Sequence, residues 1–317
     1  MNSILVIFFL SYGLYSFFNN FKFWIIYIIF ISIYCIVKKY IQKNDNNNKN
    51  ISNKINSSEW HNIHDPDTYT TIKLDITKIV LYLMKKSEEI KENITPTIFA
   101  IKLMAIILKK YPEIYGYIKF GRYNTKDGID IGCIVQVGEG SELASTTVAN
   151  CEKKSFKDII KEFKDKVNTL RARKNRSQNL KMFLFKIIPT FLAGPTTQVV
   201  SYLSSIGLGV KLVGLKRFEF GSFVITSIGG LGIEHCYANI PPFTFVPLLL
   251  ALCKKNTVNK KMENGNIETK TYLKMNFNAD YRFFSLKNAV SMFNDIHLYG
   301  ENPERFEEEC KKYANEI

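Results

Sequence analysis

FVITSIGGLGIEHCYANIPPFTFVPLLLAL, residues Phe223 to Leu252, is the stretch that decides the fold. Both ends are short apolar runs bounded by Gly, Pro and Ser, the pattern of β-strands, and the strands are placed over Ser222 to Ser227 and Val246 to Cys253. Between them Gly229, Gly230 and Gly232 lack the βαβ setting of a dinucleotide loop and read as a tight turn after a strand. A further strand is predicted from Thr271 to Arg282. A helix from about Leu286 to Ile296 and a charged tail helix from Pro303 to Ile317 follow.

Working back toward the N-terminus, Ile72, Leu74 and Ile76 alternate with Lys73 and Asp75, so Thr68 to Ile76 is predicted as a strand. A helix follows to about Ile90, with Ile79, Val80, Leu83 and Met84 on its apolar face. Thr95-Pro96 makes the next helix start, a hydroxyl cap ahead of a proline suited to the first turn. That helix is apolar nearly all round (Ile98, Ile101, Leu103, Ala105, Ile106, Leu108), which places it in the core, and Tyr111-Pro112 ends it. Ile118 to Arg122 and Ile129 to Val137 are predicted as strands joined by a turn at Lys126-Asp127-Gly128. Phe156, Ile159, Ile160, Phe163, Val167 and Leu170 recur at helical spacing behind a Ser155 cap, and the basic run Arg171, Arg173, Lys174, Arg176 is expected to end that helix. The dense apolar region Leu180 to Leu215 reads either as core or oligomer-interface helices or as a membrane-surface contact.

Two apolar runs open the chain, Ile4 to Phe18 and Phe23 to Val37, each shorter than the roughly 20 residues a helix needs to cross hydrocarbon. They predict a membrane anchor over residues 1–43, as one transmembrane helix from about Ser16 to Val37 or as a helical hairpin. Lys38, Lys39 and Lys43 after the second run predict a membrane localisation with the main domain facing the cytosol and membrane lipid as a partner. The sequons at Asn50, Asn56, Asn93 and Asn175 test that topology. Residues 44–57 read as an Asn-rich flexible linker, leaving a domain over 58–317 with length enough for a sizeable core.

With 46% hydrophobic and 23% charged residues, the chain is neither disordered nor a disulfide scaffold. Its six cysteines (Cys35, Cys133, Cys151, Cys236, Cys253, Cys310) make no CxxC pair and no zinc spacing, and read as reduced thiols. The net charge of +14 permits an anionic partner. No nucleic acid is expected, because no aromatic residues interleave the basic run and no reading motif is present. No metal is expected either: His61-x-x-His64-Asp65 lacks further ligands at structural spacing.

The opening stretch resembles the signature of the 2-oxoacid dehydrogenase acyltransferase catalytic domain, in which a strand reading F-T-I-S-N-L-G leads through a proline-bearing loop to a second apolar strand. TPTIFAIKLMAIILKKYPEIYG (Thr95 to Gly116), VANCEKKSFKDIIKEF (Val148 to Phe163) and MNFNADYRFFSLKNA (Met275 to Ala289) resemble further blocks of that family in the same order, from about Trp60 to Ile296. The resemblance implies an α/β fold, an α+β two-layer arrangement with the mixed sheet of chloramphenicol acetyltransferase flanked by helices. It also implies a homotrimer with active sites between subunits. Coenzyme A or an acyl-CoA is the ligand it would carry, an acyl thioester in chemical class. No lipoyl domain is expected ahead of the catalytic-like region.

In the family a histidine in D-H-R-x-x-D/N-G takes the proton from a thiol or hydroxyl acceptor, which then attacks the acyl thioester. A Ser or Thr on the neighbouring subunit's strand donates a hydrogen bond to the tetrahedral oxyanion, worth about 3 kcal/mol. The resemblance carries the donor to Thr226. It carries the flanking structural pair to Asp280 and Arg282, the histidine position to Tyr281, the Asp/Asn position to Ser285 and the glycine to Leu286. HxxxDG has thus become YxxxSL. A phenol titrates near pH 10, and bringing it to neutrality would require about 4 kcal/mol at 1.36 kcal/mol per unit. None of the 4 histidines fits as a substitute from its sequence position: His61 and His64 precede the first strand, His235 follows the glycine turn and His297 ends a helix. The sequence therefore predicts a membrane-anchored acyltransferase-fold protein that is catalytically impaired and serves as a binding or scaffold module. The rival reading is an active acyltransferase moving an acyl group from a CoA thioester to a membrane-associated acceptor.

Overall fold

A computed structural model describes residues 21–43, 67–119, 122–126, 128–136, 143–187, 199, 202–203, 218, 220–240, 244, 246–261 and 267–314. The contacts divide the chain into a unit from Met1 to Lys54 and a unit from Ile55 to Ile317. In the first unit one helix is described, α1 (Phe21–Lys43). Its unbroken apolar run is Phe23 to Val37, bounded by Lys22 and Lys38, which rises about 22 Å at 1.5 Å per residue against a hydrocarbon core of about 30 Å. Among the described residues no helix is long and apolar enough to cross a membrane. The expected transmembrane anchor, and the cytosol-facing membrane localisation and lipid partner inferred from it, are corrected accordingly. The first apolar run, the Asn-rich linker and His61 to Asp65 lie outside the described residues.

The second unit is built on a six-stranded mixed sheet in the order β1-β8-β7-β6-β4-β5. The strands are β1 (Asp67–Asp75), β4 (Ile131–Gln136), β5 (Leu143–Val148), β6 (Phe223–Ser227), β7 (Leu248–Lys261) and β8 (Ile267–Asp280). The β4–β6 and β6–β7 pairs are parallel and the rest antiparallel. Two short strands, β2 (Gly116–Lys119) and β3 (Arg122–Thr125), pair only with each other among the described residues. The segment read from sequence as one strand, Ile118 to Arg122, thus crosses a hairpin, and its expected partner, Ile129 to Val137, supplies β4 to the main sheet. The edge strand β5 has no counterpart in the sequence reading, because LASTTV offers little apolar alternation.

One face of the sheet carries the helices. In α3 (Pro96–Lys110) every residue from Ile98 to Leu108 is buried, Thr95 caps the N-terminus by accepting from Ile98 N, and Tyr111 closes the other end, as its sequence predicts. In α2 (Thr77–Ile90) only Ile79 and Leu83 are buried and Met84 is exposed, so the apolar stripe is narrower than predicted. The helices α5 (Leu286–Glu301) and α6 (Pro303–Ala314) complete the layer, with Met292, Ile296, Phe306 and Tyr313 in the same core as Ile72, Leu74, Met275 and Phe277 of β1 and β8. The remaining helix, α4 (Phe156–Ile187), does not end at the basic run but continues through it. Lys and Arg are good helix formers, and charge alone does not stop a helix. Most of the apolar region Leu180 to Leu215 lies outside the described residues.

Among the described residues the other face of the sheet is thinly covered. Val224, Val246 and Leu249 form a small cluster there with Ile134, Phe220, Ala238 and Ile240. It is this face that carries the candidate site.

A candidate functional site on one face of the sheet

Side chains alternate along each strand, so the core-facing Phe223 and Ile225 leave Val224 and Thr226 on the open face. Thr226 pairs with Ala251, Ala251 with Asn276 and Asn276 with Thr71, which makes one transverse row across β6, β7, β8 and β1. Thr226 is half-buried near the end of its strand, and none of the described residues bonds its hydroxyl.

Asn276 and Asn278 are each 1% exposed, an unusual burial for amides, and the reason is the loop that follows the glycine turn. Asn276 Nδ2 donates to the Cys236 carbonyl at 2.8 Å, and Asn278 Nδ2 donates to the Ala238 carbonyl at 3.0 Å and to Asp67 Oδ2 at 2.6 Å. The two amides strap residues Cys236 to Ile240 over the strand and satisfy carbonyls that no ladder reaches. Tyr69 and Tyr237 seal the edge, their rings edge-to-face at 5.3 Å, with Tyr69 donating to Asn239 Oδ1 at 3.0 Å. The strapping sets His235 beside Asn276, its Nδ1 3.2 Å from the amide nitrogen. Sequence position alone had set His235 aside. In the fold it shares the face and the row of Thr226, a juxtaposition created by side-chain amides that carry no periodic signal.

The glycine turn is a single 3-10 turn, Gly229–Leu231, ended by Gly232 in the left-handed region at φ 79°. A Cβ on Gly229 would stand 2.6 Å from the Cys253 carbonyl oxygen, so the residue there must be glycine for the loop to turn back over β7.

At the far end of β8, Tyr281 lies in the turn into α5 and is 43% exposed. The Asp280 carboxylate accepts from the Arg282 backbone N–H at 2.9 Å, from Nε at 3.0 and 3.1 Å and from Nη2 at 2.7 Å, a bidentate clasp that closes the turn around Tyr281. Burial pulls the guanidinium down, but the Asp280 carboxylate outweighs it and holds Arg282 above its ordinary value. Ser285 is the N-cap of α5, its Oγ accepting from Asn288 N at 3.2 Å. Its hydroxyl is therefore committed to the helix. From the row that holds Thr226, Tyr281 is two strands over and about 17 Å further along at ~3.4 Å per residue. One chain therefore does not bring Thr226 and Tyr281 to a common reacting atom.

All six cysteines are free. Burial raises the thiols of Cys133, Cys151 and Cys310, the last two to about 12, which leaves them unreactive at neutral pH. Among the described residues no cluster of His, Cys, Asp and Glu could hold a metal ion. His297 is paired with Glu301 at 2.8 Å.

Residues 42–188 match the family model of the 2-oxoacid dehydrogenases acyltransferase (catalytic domain). No curated protein matches the chain. Among solved structures, a probable dihydrolipoamide acetyltransferase from Listeria monocytogenes superposes with a TM-score of 0.54 at 16% identity, over 88% of this chain and 93% of that one. The cubic core of the pyruvate dehydrogenase multienzyme complex gives 0.56 at 15% identity, over 80% and 87%. A truncated catalytic core of the 2-oxoacid dehydrogenase multienzyme complex from Thermoplasma acidophilum gives 0.51 at 19% identity, over 78% and 93%. At these identities the structural likeness shows the fold.

Proposed function

We propose, on the premise that the chain resembles the 2-oxoacid dehydrogenase acyltransferase catalytic domain in sequence over residues 42–188 and in fold over most of its length, that it is an acyltransferase-fold binding module whose proton-accepting centre has been lost. The observation that carries this reading is the turn after β8. Its scaffold is intact, with Asp280 clasping Arg282, yet the side chain it presents is a phenol and the hydroxyl of Ser285 is committed as a helix cap. Acyl transfer requires a base to take the proton from the acceptor before it attacks the thioester carbonyl. A phenol is a donor at neutral pH, and no carboxylate stands at position 285 to turn it into an acceptor.

The module assembles as a homotrimer in this reading. Thr226 and Tyr281 are too far apart within one chain to act together, and a boundary between copies is the arrangement that brings Thr226 of one copy and Tyr281 of another to one ligand. The ligand is an acyl thioester, acetyl-CoA being the natural probe. Titrating the full chain with acetyl-CoA should show saturable binding, and supplying a dithiol acceptor should release no free CoA above the uncatalysed rate. Turnover that disappears in Thr226→Ala would refute the impaired reading and install its rival, acyl transfer from a CoA thioester supported by the Thr226 hydroxyl. Sedimentation reads the trimer directly, and a monomer at all concentrations would remove the shared site.

A further inference from the structure

The imidazole of His235 is exposed on the open face, and its ring stacks edge-to-face on Tyr237 at 5.0 Å. Four neighbours determine which way the Asn276 amide points. Thr71 Oγ1 donates to Asn276 Oδ1 at 2.9 Å. The Cys236 carbonyl can only accept, and it takes a hydrogen from Nδ2 at 2.8 Å, while Cys253 Sγ and His235 Nδ1 stand 3.3 and 3.2 Å from the same nitrogen. Turning the amide over would set its oxygen against the Cys236 oxygen, so the nitrogen stays on that side. Of the two Nδ2 hydrogens one goes to the Cys236 carbonyl and the other lies between His235 Nδ1 and Cys253 Sγ. A ring N–H aimed at that nitrogen would find no lone pair, so Nδ1 of His235 is the accepting nitrogen and the proton of the neutral ring lies on Nε2. The chain of donors begins at Tyr237, whose hydroxyl is 2.7 Å from Thr71 Oγ1 and supplies the hydrogen there, Thr71's own being given to Asn276. None of the described residues bonds Nε2.

We propose that His235 is a ligand-positioning residue: a fixed Nε2–H donor, held in that tautomer by Asn276, that takes a carbonyl or phosphate oxygen of a bound acyl thioester. The inference rests on the thioester ligand of the proposed function but not on whether turnover survives. It also gives a reason why an imidazole on the row of Thr226 does not replace the lost base. The lone pair of Nδ1 faces an amide nitrogen and Nε2 has no lone pair to offer, so the ring can donate to a ligand but not take its proton.

The tautomer is read without any ligand. In 15N-labelled full chain with the ring neutral, and with the signal assigned by its loss in His235→Gln, Nδ1 is expected to be the unprotonated nitrogen. A proton on Nδ1 overturns the inference. The second measurement is titration with acetyl-CoA and, separately, with CoA. His235→Ala is expected to weaken acetyl-CoA about tenfold, the loss of one good hydrogen bond. If CoA weakens equally the oxygen is a phosphate, and if CoA is unaffected it is the acyl carbonyl. Unchanged binding of both overturns the role of His235 while leaving the thioester reading standing, and wild-type protein that binds neither probe removes the reading itself. Asn276→Asp supplies the reverse test: its carboxylate should draw the ring proton to Nδ1. Because position 276 is buried, circular dichroism must first show a native fold; where the fold is lost, the wild-type tautomer measurement decides alone. An unmoved tautomer in a folded Asn276→Asp chain overturns the orienting role of position 276.

Discussion

Lys102 sits in the middle of α3, 3% exposed, on a helix otherwise apolar on every side. Its ammonium donates to three backbone carbonyls, those of Cys151 at 3.3 Å, Glu152 at 2.9 Å and Lys154 at 2.7 Å. These carbonyls belong to the turn between β5 and α4, which includes Asn150 in the left-handed region at φ 47°. Lys102→Met keeps the length and the apolar stem and deletes only the head. Hydrogen bonds from a charged donor contribute about 1.5–3 kcal/mol each, so the three together are worth roughly 5–9 kcal/mol gross. Against this stands the desolvation of a buried ammonium, several kcal/mol, which the methionine relieves. The carbonyls remain buried after the substitution and find no new donor, so the loss outweighs the relief, by about 3 kcal/mol. For a unit of this size that corresponds to a fall in Tm of roughly 6–12 °C. Thermal and urea unfolding of the full chain, followed by circular dichroism, reads it. Burial lowers the Lys102 pKa, which adds a sign to check: the unfolded chain binds the proton more tightly, so stability gains as pH rises from the folded pKa toward 10.5, and the Met variant should lack that rise. A Met variant as stable as the wild type would mean that the ammonium's desolvation, not the turn's carbonyls, decides the position, and the reasoning would be wrong.

Tyr281→His combined with Ser285→Asp should fold normally, since position 281 is exposed and Asp caps a helix as well as Ser, and a gain of acyl transfer from acetyl-CoA to a dithiol over the wild type would show that the ligand channel persists. Gly300→Ala places a methyl 2.5 Å from Leu74 Cδ2, in a core with no slack, and should cost about 1–3 kcal/mol in urea unfolding; a smaller loss would mean that α5 shifts on β1 freely. Burial lowers the Lys126 ammonium to about 7, only weakly opposed by Asp130, and its Nζ lies 4.7 Å from the Phe218 ring centre. Its folded-state pKa is below the unfolded one, so this group's contribution to stability should increase from pH 7 to about 10.5. Lys126→Met should flatten that rise, and a pH profile identical to the wild type would exclude the shift.

Much of the candidate site was legible in advance because its residues announce themselves by type. Thr226 stands on a strand with clear apolar flanks, and the loss of histidine, acid and glycine after β8 needs only a motif to be noticed. What the motif could not tell is how the replacements are used. That Ser285 is committed to capping α5 follows from where the helix starts. That Asp280 and Arg282 form a structural pair is an expectation of the sequence; the bidentate geometry of their clasp is set by the turn after β8. His235 was passed over for a physical reason: its role depends on Asn276 and Asn278 reaching across from a strand some 40 residues later in the chain. The membrane anchor failed for a different reason. A single span from Ser16 to Val37 would have to run through Lys22, whereas crossing hydrocarbon depends on the unbroken apolar length within one helix, which Lys22 and Lys38 bound in α1.

Local chemistry alone determined α3, its Thr95 cap, the strands of the parallel centre and the identity of the side chains after β8, because each depends on neighbours within one or two turns of chain. Only the tertiary structure decided which face of the sheet the described helices leave uncovered, that β2 and β3 fold on each other, and that an imidazole, two amides and a threonine hydroxyl share that face. These depend on register between strands far apart in sequence, where a shift of one residue would send every side chain to the opposite face.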